Sequence, residues 1–365
     1  MPRRAGAAVG RLGARRISKH QPIRLAIFGA GLIGRNHAAL AQASDEVDLV
    51  GLCDPEPRAL AAAARLGVPM FDKAETLVDI VQPDAAIVAT PNDTHAALGT
   101  QLAARGLDLL VEKPIATSLA DARRLTDACA EAGVALLVGH RRRHSPLVEA
   151  ARTAVAGGSL GRLTAVSATC MLLKPDSYFA AAPWRTRPAG GPVAINLSHD
   201  IDTLRFICGE IARVHAETSA AARGHAVEDS AAVVLRFAGG ALGTLVLSDA
   251  TPSPYSWELS AGENPLYAHA GRDCYRFFGT EGSLDFPTMT LWRYDGGGEP
   301  GWATPLATRQ LDVAAADPLE RQLRHFAAVV RGEATPVIDG ADAARTLAVT
   351  LAVTEAARSG RPVEI

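Results

Sequence analysis

One glycine pattern in a fixed setting narrows this chain more than any other feature. Gly29-Ala30-Gly31-Leu32-Ile33-Gly34 directly follows the apolar run 23–28 and opens a helix-like stretch. Glycine is common here, 33 of 365 residues, so the spacing alone carries little weight and the strand–turn–helix setting supplies the specificity. The first glycine permits a tight turn, the second lets backbone approach a pyrophosphate, and the third lets helix and strand pack closely. Amide N–H groups at the helix N-terminus then face phosphate charge. Gly29, Gly31, Leu32, Ile33 and Gly34 are therefore expected to hold a dinucleotide. Asp54 ends the next apolar run, where a carboxylate accepts a ribose 2′-hydroxyl and repels a 2′-phosphate, favouring NAD over NADP. The alternative is a plain glycine turn with a helix-capping Asp.

The surrounding pattern agrees. Apolar runs at 23–28, 47–53, 85–89, 107–111 and 134–138 alternate with alanine- and leucine-rich stretches at 34–42, 58–66, 94–105 and 119–132. Continuous apolar strands between helices predict a doubly wound parallel α/β sheet covered on both faces. After residue 145 the pattern changes. Runs at 163–170, 231–237, 241–248 and 289–294 suggest strands, the middle two joined as a hairpin at Gly239-Gly240. Leu319, Leu323, Phe326, Ala327 and Val330 fall at helical spacing, and 341–358 suggests a further helix. The expected organisation is a basic disordered tail over 1–22, a Rossmann domain over 23–143 and an α+β domain with a largely antiparallel open sheet over 144–365.

Composition excludes several function classes. With 37 basic and 39 acidic residues the net charge is −2, so no global field attracts nucleic acid or an anionic membrane. No charge-free apolar run is long enough to span a bilayer. The five cysteines are scattered without C-x-x-C spacing, which fits reduced thiols in a cytoplasmic protein and offers no metal site. The tail carries Arg3, Arg4, Arg11, Arg15, Arg16 and Lys19 with no acid. A twin-arginine export signal is the other reading of Arg15-Arg16, but the apolar stretch behind it is already the first strand and glycine turn.

Thr90-Pro91-Asn92 with His95, and Glu112-Lys113-Pro114, resemble motifs of the glucose–fructose oxidoreductase/inositol dehydrogenase (Gfo/Idh/MocA) family. Gly279-Thr-Glu-Gly-Ser-Leu284 and Gly360-Arg-Pro-Val363 extend the resemblance over about 23–365. It implies hydride transfer between NAD(P) and a sugar, polyol or related carbonyl compound, and a homodimer or homotetramer formed through the C-terminal sheet. It also places Thr90, Pro91, Asn92, His95, Glu112 and Lys113 beside the cofactor, with Lys113 catalytic and a cis bond before Pro114. An ammonium at a strand end can stabilise the alkoxide that develops as hydride leaves.

The second half of the site is expected at Asn196 and His199. Relatives often carry Asp four residues before the His; here that position is Ile195, and Asn196 lies three before. Residues i and i+3 share a helix face, so both can meet one substrate. Asn cannot act as a base, which moves proton transfer to His199, whose ordinary pKa near ~6.5 suits it. Arg143 matches a family Arg at the domain junction. Tyr178, Trp184 and Arg185 form a loop suited to sugar rings and anions, or equally to packing. Two alternatives use related parts: an NAD-dependent glycoside hydrolase that oxidises its sugar transiently, and a non-catalytic NAD-sensing regulator.

Overall fold

The computed structural model describes residues 21–188, 190–296 and 299–365; most of the expected tail lies outside the described residues. The chain divides into two compact units. One runs to Gly139 and takes in Gln322–Ala344; the other comprises His140–Arg321 and Arg345–Ile365.

The first unit holds six parallel strands: β1 (Ile23–Phe28), β2 (Val47–Cys53), β3 (Met70–Phe71), β4 (Ala85–Val88), β5 (Asp108–Glu112) and β6 (Leu136–Gly139). Their order, β3-β2-β1-β4-β5-β6, is that of a Rossmann sheet with its reversal between β1 and β4. Every residue of β4, β5 and β6 is buried, as a sheet covered on both faces requires. The short strand β3 and the helix Ala74–Val81 are additions to the expected pattern. Contrary to the expected contiguous domain ending at 143, residues 322–344 return to this unit. The Val138 N–H donates to the Ile338 carbonyl at 3.1 Å, and Arg331 pairs with Glu46. Contacts between positions that far apart leave no local signature.

The second unit is built on nine strands: β7 (Leu163–Met171), β8 (Ile211–Ser219), β9 (Ser230–Phe237), β10 (Leu242–Ser248), β11 (Tyr275–Gly279), β12 (Gly282–Phe286), β13 (Thr290–Arg293), β14 (Ala307–Gln310) and β15 (Val363–Glu364). They lie in the order β14-β13-β12-β11-β7-β10-β9-β8-β15, antiparallel throughout except for the parallel pair β7/β10. The hairpin of β9 and β10 forms as expected. Burial alternates along both, so Val233, Leu235 and Leu245 enter the core while Val234, Leu242 and Val246 are exposed on the other face. A π-helical turn, Val193–Leu197, leads into the helix Ser198–Cys208; Leu197 of the turn and Ile201 and Leu204 of the helix join that core.

Candidate active site

The glycine turn takes its shape from close backbone approach. Gly29 has φ +95°, and a Cβ there would strike the Ala89–Thr90 backbone. A Cβ on Gly34 would overlap the Gly29 carbonyl, whereas Gly31 faces open space. The following helix, Leu32–Gln42, has Gly31 at its N-cap and no side-chain cap. Ser118 and Ser145 cap their helices by accepting from Asp121 N–H and Val148 N–H, while other helices, Ala74–Val81 and His95–Ala104 among them, also start without a side-chain cap. An uncapped helix N-terminus beside a bare glycine fits a dinucleotide pyrophosphate. Asp54 is tied to the same turn: its Oδ2 accepts the Ala30 N–H at 2.7 Å and its Oδ1 the Glu56 N–H at 2.9 Å.

Two neighbouring turns are joined by buried side chains. His95 places Nδ1 2.8 Å from the Pro114 carbonyl oxygen and Nε2 2.9 Å from that of Thr90. Thr94 donates to the Thr90 hydroxyl at 2.7 Å, and Asn92 opens an exposed 3₁₀ turn behind Pro91. Glu112 binds His37 Nε2 at 2.8 Å and accepts the Lys113 N–H at 3.2 Å. Burial alone would raise the Glu112 pKa; the His37 hydrogen bond and the nearby Lys113 and His95 hold it below the ordinary carboxylate value. His95 and Glu112, expected beside the cofactor, are both tied to protein groups here. Both side chains are buried and spent on protein partners, so they shape the turns around Lys113. Lys113 itself is half-buried, and the bond to Pro114 is cis, as expected.

In the second unit Asn196 and His199 are both half-buried, while Leu197 and Ile201 between and beyond them are fully buried. Asn196 Oδ1 accepts from Lys174 Nζ at 2.7 Å. That ammonium also donates to Asp249 Oδ2 at 3.2 Å, and Arg223 Nε donates to Asp249 Oδ1 at 3.0 Å. Tyr178, Trp184 and Arg185 do come together: the Arg185 guanidinium lies 3.7 Å from the Tyr178 ring centroid and 5.7 Å from that of the exposed Trp184.

Arg143 does not join them. It is buried and binds both oxygens of Asp202, at 2.9 and 2.7 Å. Burial would raise the Asp202 pKa, but His140 and Arg143 hold it down, helped by hydrogen bonds from Arg143 and Thr346. Beside this pair, Arg142 binds the fully buried Asp200 at 2.8 Å, Tyr275 donates to the same oxygen, and Arg141 grips Glu258 at 2.8 and 2.9 Å. The charge run 141–143 is an ion-pair network with carboxylates of the same unit. Lys174, Asp249 and Arg223 escaped sequence reasoning. Lys174 and Asp249 stand just past the ends of β7 and β10, which the parallel pairing of those strands brings together.

Fold and cofactor-side geometry define a nicotinamide-dinucleotide-dependent oxidoreductase built on a Rossmann domain. Residues 23–140 match the Gfo/Idh/MocA oxidoreductase family, NAD-binding Rossmann fold, and residues 148–285 match its C-terminal domain. The chain belongs to the Gfo/Idh/MocA family. It is 28% identical over 352 residues to the D-apiose dehydrogenase of Paraburkholderia graminis, covering 93% of this chain and 89% of that one. It is likewise 28% identical to the D-xylose 1-dehydrogenase (NADP(+)) 2 of Haloferax volcanii, covering 93% and 98%. The solved WlbA dehydrogenase from Bordetella pertussis, in complex with NADH and UDP-GlcNAcA, superposes with a TM-score of 0.76 at 26% identity, covering 94% of this chain and 99% of that one. Among the described residues no helix is long and apolar enough to cross a membrane.

Proposed function

We propose that this protein oxidises or reduces a sugar, inositol or related polyol, with NAD preferred over NADP. The observation that carries the reading is the pairing of an uncapped fingerprint helix, fitted for a dinucleotide, with a half-buried Asn196/His199 face on the substrate unit. The sugar dehydrogenases among the relatives support the substrate class, and they give no support to a glycoside hydrolase. Asp54 supports NAD, since a carboxylate held by two backbone N–H groups stays placed to meet a ribose hydroxyl.

Bound nicotinamide supplies the hydride chemistry. Gly29, Gly31, Leu32, Ile33, Gly34 and Asp54 hold the dinucleotide, with Thr90, Pro91 and Asn92 lining the next turn. Lys113 stabilises negative charge on the reacting substrate oxygen, and His199 carries its proton. Asn196, Tyr178, Trp184 and Arg185 orient the sugar. Homodimers or homotetramers form through the open face of the sheet, where Val234, Leu242, Val246 and Phe278 are exposed. The five cysteines are free thiols, which suits the cytoplasm. The test is a panel of sugars and inositols offered with NAD and with NADP, read as absorbance of the reduced cofactor. Turnover of a panel member, faster with NAD, is expected; no turnover with either cofactor ends the proposal.

A further inference from the structure

Lysine is rare in this chain. Lysine and arginine together number 37, yet lysine stands only at positions 19, 73, 113 and 174. Buried positive charge is otherwise carried by arginine, as in the pairs Arg142–Asp200, Arg143–Asp202 and Arg205–Glu210. Lys174 departs from that habit. It is a buried ammonium in the substrate unit, within hydrogen-bond distance of a residue already assigned to substrate. A guanidinium spreads its donors in one plane, whereas an ammonium is compact and aims three N–H bonds at separate acceptors.

Its surroundings are braced from several sides. The Lys174 N–H donates to the Asp249 carbonyl at 2.9 Å, and Arg223 Nη2 donates to the Lys174 carbonyl at 2.8 Å. Asp249 is shared between the Lys174 and Arg223 side chains, and the Tyr178 ring centroid lies 5.2 Å from Nζ. Burial pushes the Lys174 pKa below the ordinary lysine value; Asp249 pulls the other way, and Arg185 adds repulsion.

A primary amide has an acceptor end and a donor end, and an ammonium can only donate. The atom of Asn196 that faces Lys174 must therefore be Oδ1, which leaves Nδ2 as the end the amide offers elsewhere. We propose that Lys174 is a positioning residue for substrate recognition: it holds the Asn196 amide so that Nδ2–H meets an acceptor oxygen of the sugar, a carbonyl or a hydroxyl lone pair. This inference rests on the reading that Asn196 contacts substrate. Asn196→Asp separates the two parts, since a carboxylate keeps the Lys174 contact and loses the donor.

The experiment uses the full-length protein with ¹⁵N-labelled lysine, where at most four ζ-ammonium resonances arise. One slowly exchanging signal is expected, absent in Lys174→Arg and shifted in Asn196→Ala. On the sugar or polyol found by the panel, Lys174→Met raises KM about tenfold to a hundredfold, the size of a lost charge-assisted hydrogen bond, while NAD affinity holds. Asn196→Ala gives a similar rise, and the double variant adds no more than about twofold. Asn196→Asp retains the protected ammonium signal yet raises KM. Should Lys174→Met not fold, Lys174→Gln replaces it in the cycle. Additive KM effects, an unchanged KM in the Lys174 variant, or an ammonium signal indifferent to Asn196→Ala overturns the positioning role and leaves the functional reading intact. A protein that turns over no panel member takes both down, even if the ammonium signal shows the contact itself.

Discussion

The parallel sheet of the first unit and the mixed sheet of the second bury their strands differently. Strands β4, β5 and β6 are buried residue by residue, and Asp54, Thr90 and Lys113 stand just past the ends of β2, β4 and β5. Each stopping place is shaped by backbone: a glycine turn, a 3₁₀ turn, a cis peptide bond. Strands β9 and β10 alternate, leaving one face open, and the polar side of that unit is held instead by side-chain ion pairs. Arg142 and Asp200 are 58 residues apart, Arg143 and Asp202 59, Lys174 and Asp249 75. The strand ends of the first unit are thus framed by short turns, and the second unit by charges drawn together from across it. Disturbing a turn should change ligand affinity, while disturbing an ion pair should change stability first.

The largest effects are expected at Lys113 and His199. His199→Ala should lower turnover by about 10²–10⁴-fold, and Lys113→Ala by ~10²-fold or more, with NAD affinity retained in both. Steady-state kinetics beside calorimetric NAD titration decides this; equal losses in affinity and turnover would show that Lys113 only shapes the cofactor turn. Next, Arg142→Met strands the fully buried Asp200 carboxylate beside Tyr275, a change of about 3–5 kcal/mol in stability. Denaturant unfolding reads it, and a variant as stable as the parent would break the contrast between the two units. Third, Asp54→Ala should weaken NAD about tenfold and narrow its advantage over NADP, as the loss of a carboxylate hydrogen bond predicts. Comparable losses for both cofactors would assign Asp54 to the turn alone.

The smallest effect concerns pH. Burial raises the Glu263 carboxyl to about 7, against the Ser145 hydrogen bond and the pull of Arg141 and Arg142. The folded protein therefore binds a proton that the unfolded chain has already released, so this group's contribution is fully present at acid pH, below its unfolded value of 4.5. It is lost progressively as pH rises to about 7. Melting temperature should decline across that window, and Glu263→Gln should flatten the decline; an unchanged slope would remove Glu263 from the ion-pair network's pH response.

Much of the first unit was legible because its determinants are near neighbours in sequence. The runs at 23–28 and 47–53 became β1 and β2 without adjustment, and the glycine turn fell where its spacing required. His95 and Glu112 were legible as motif residues but not as buried struts, because a motif does not say which way a ring or carboxylate turns. In the second unit β8, β11, β12 and β14 went unseen, being short or rich in polar residues on their open side. Arg143 was legible only as a match to a family Arg; the carboxylate partners of Arg141, Arg142 and Arg143 lie far along the chain.

The sequence by itself determined the parallel Rossmann sheet, its glycine turn and the family, since each rests on spacings that a strand, turn or helix converts directly into position. Only the tertiary structure decided that Arg143 is spent on Asp202, that 322–344 packs with the first unit, and that Lys174 grips Asn196. The physical reason is that a buried charge must find its partner wherever folding places one. Here the parallel pairing of β7 with β10 sets their ends side by side, and no local spacing records that.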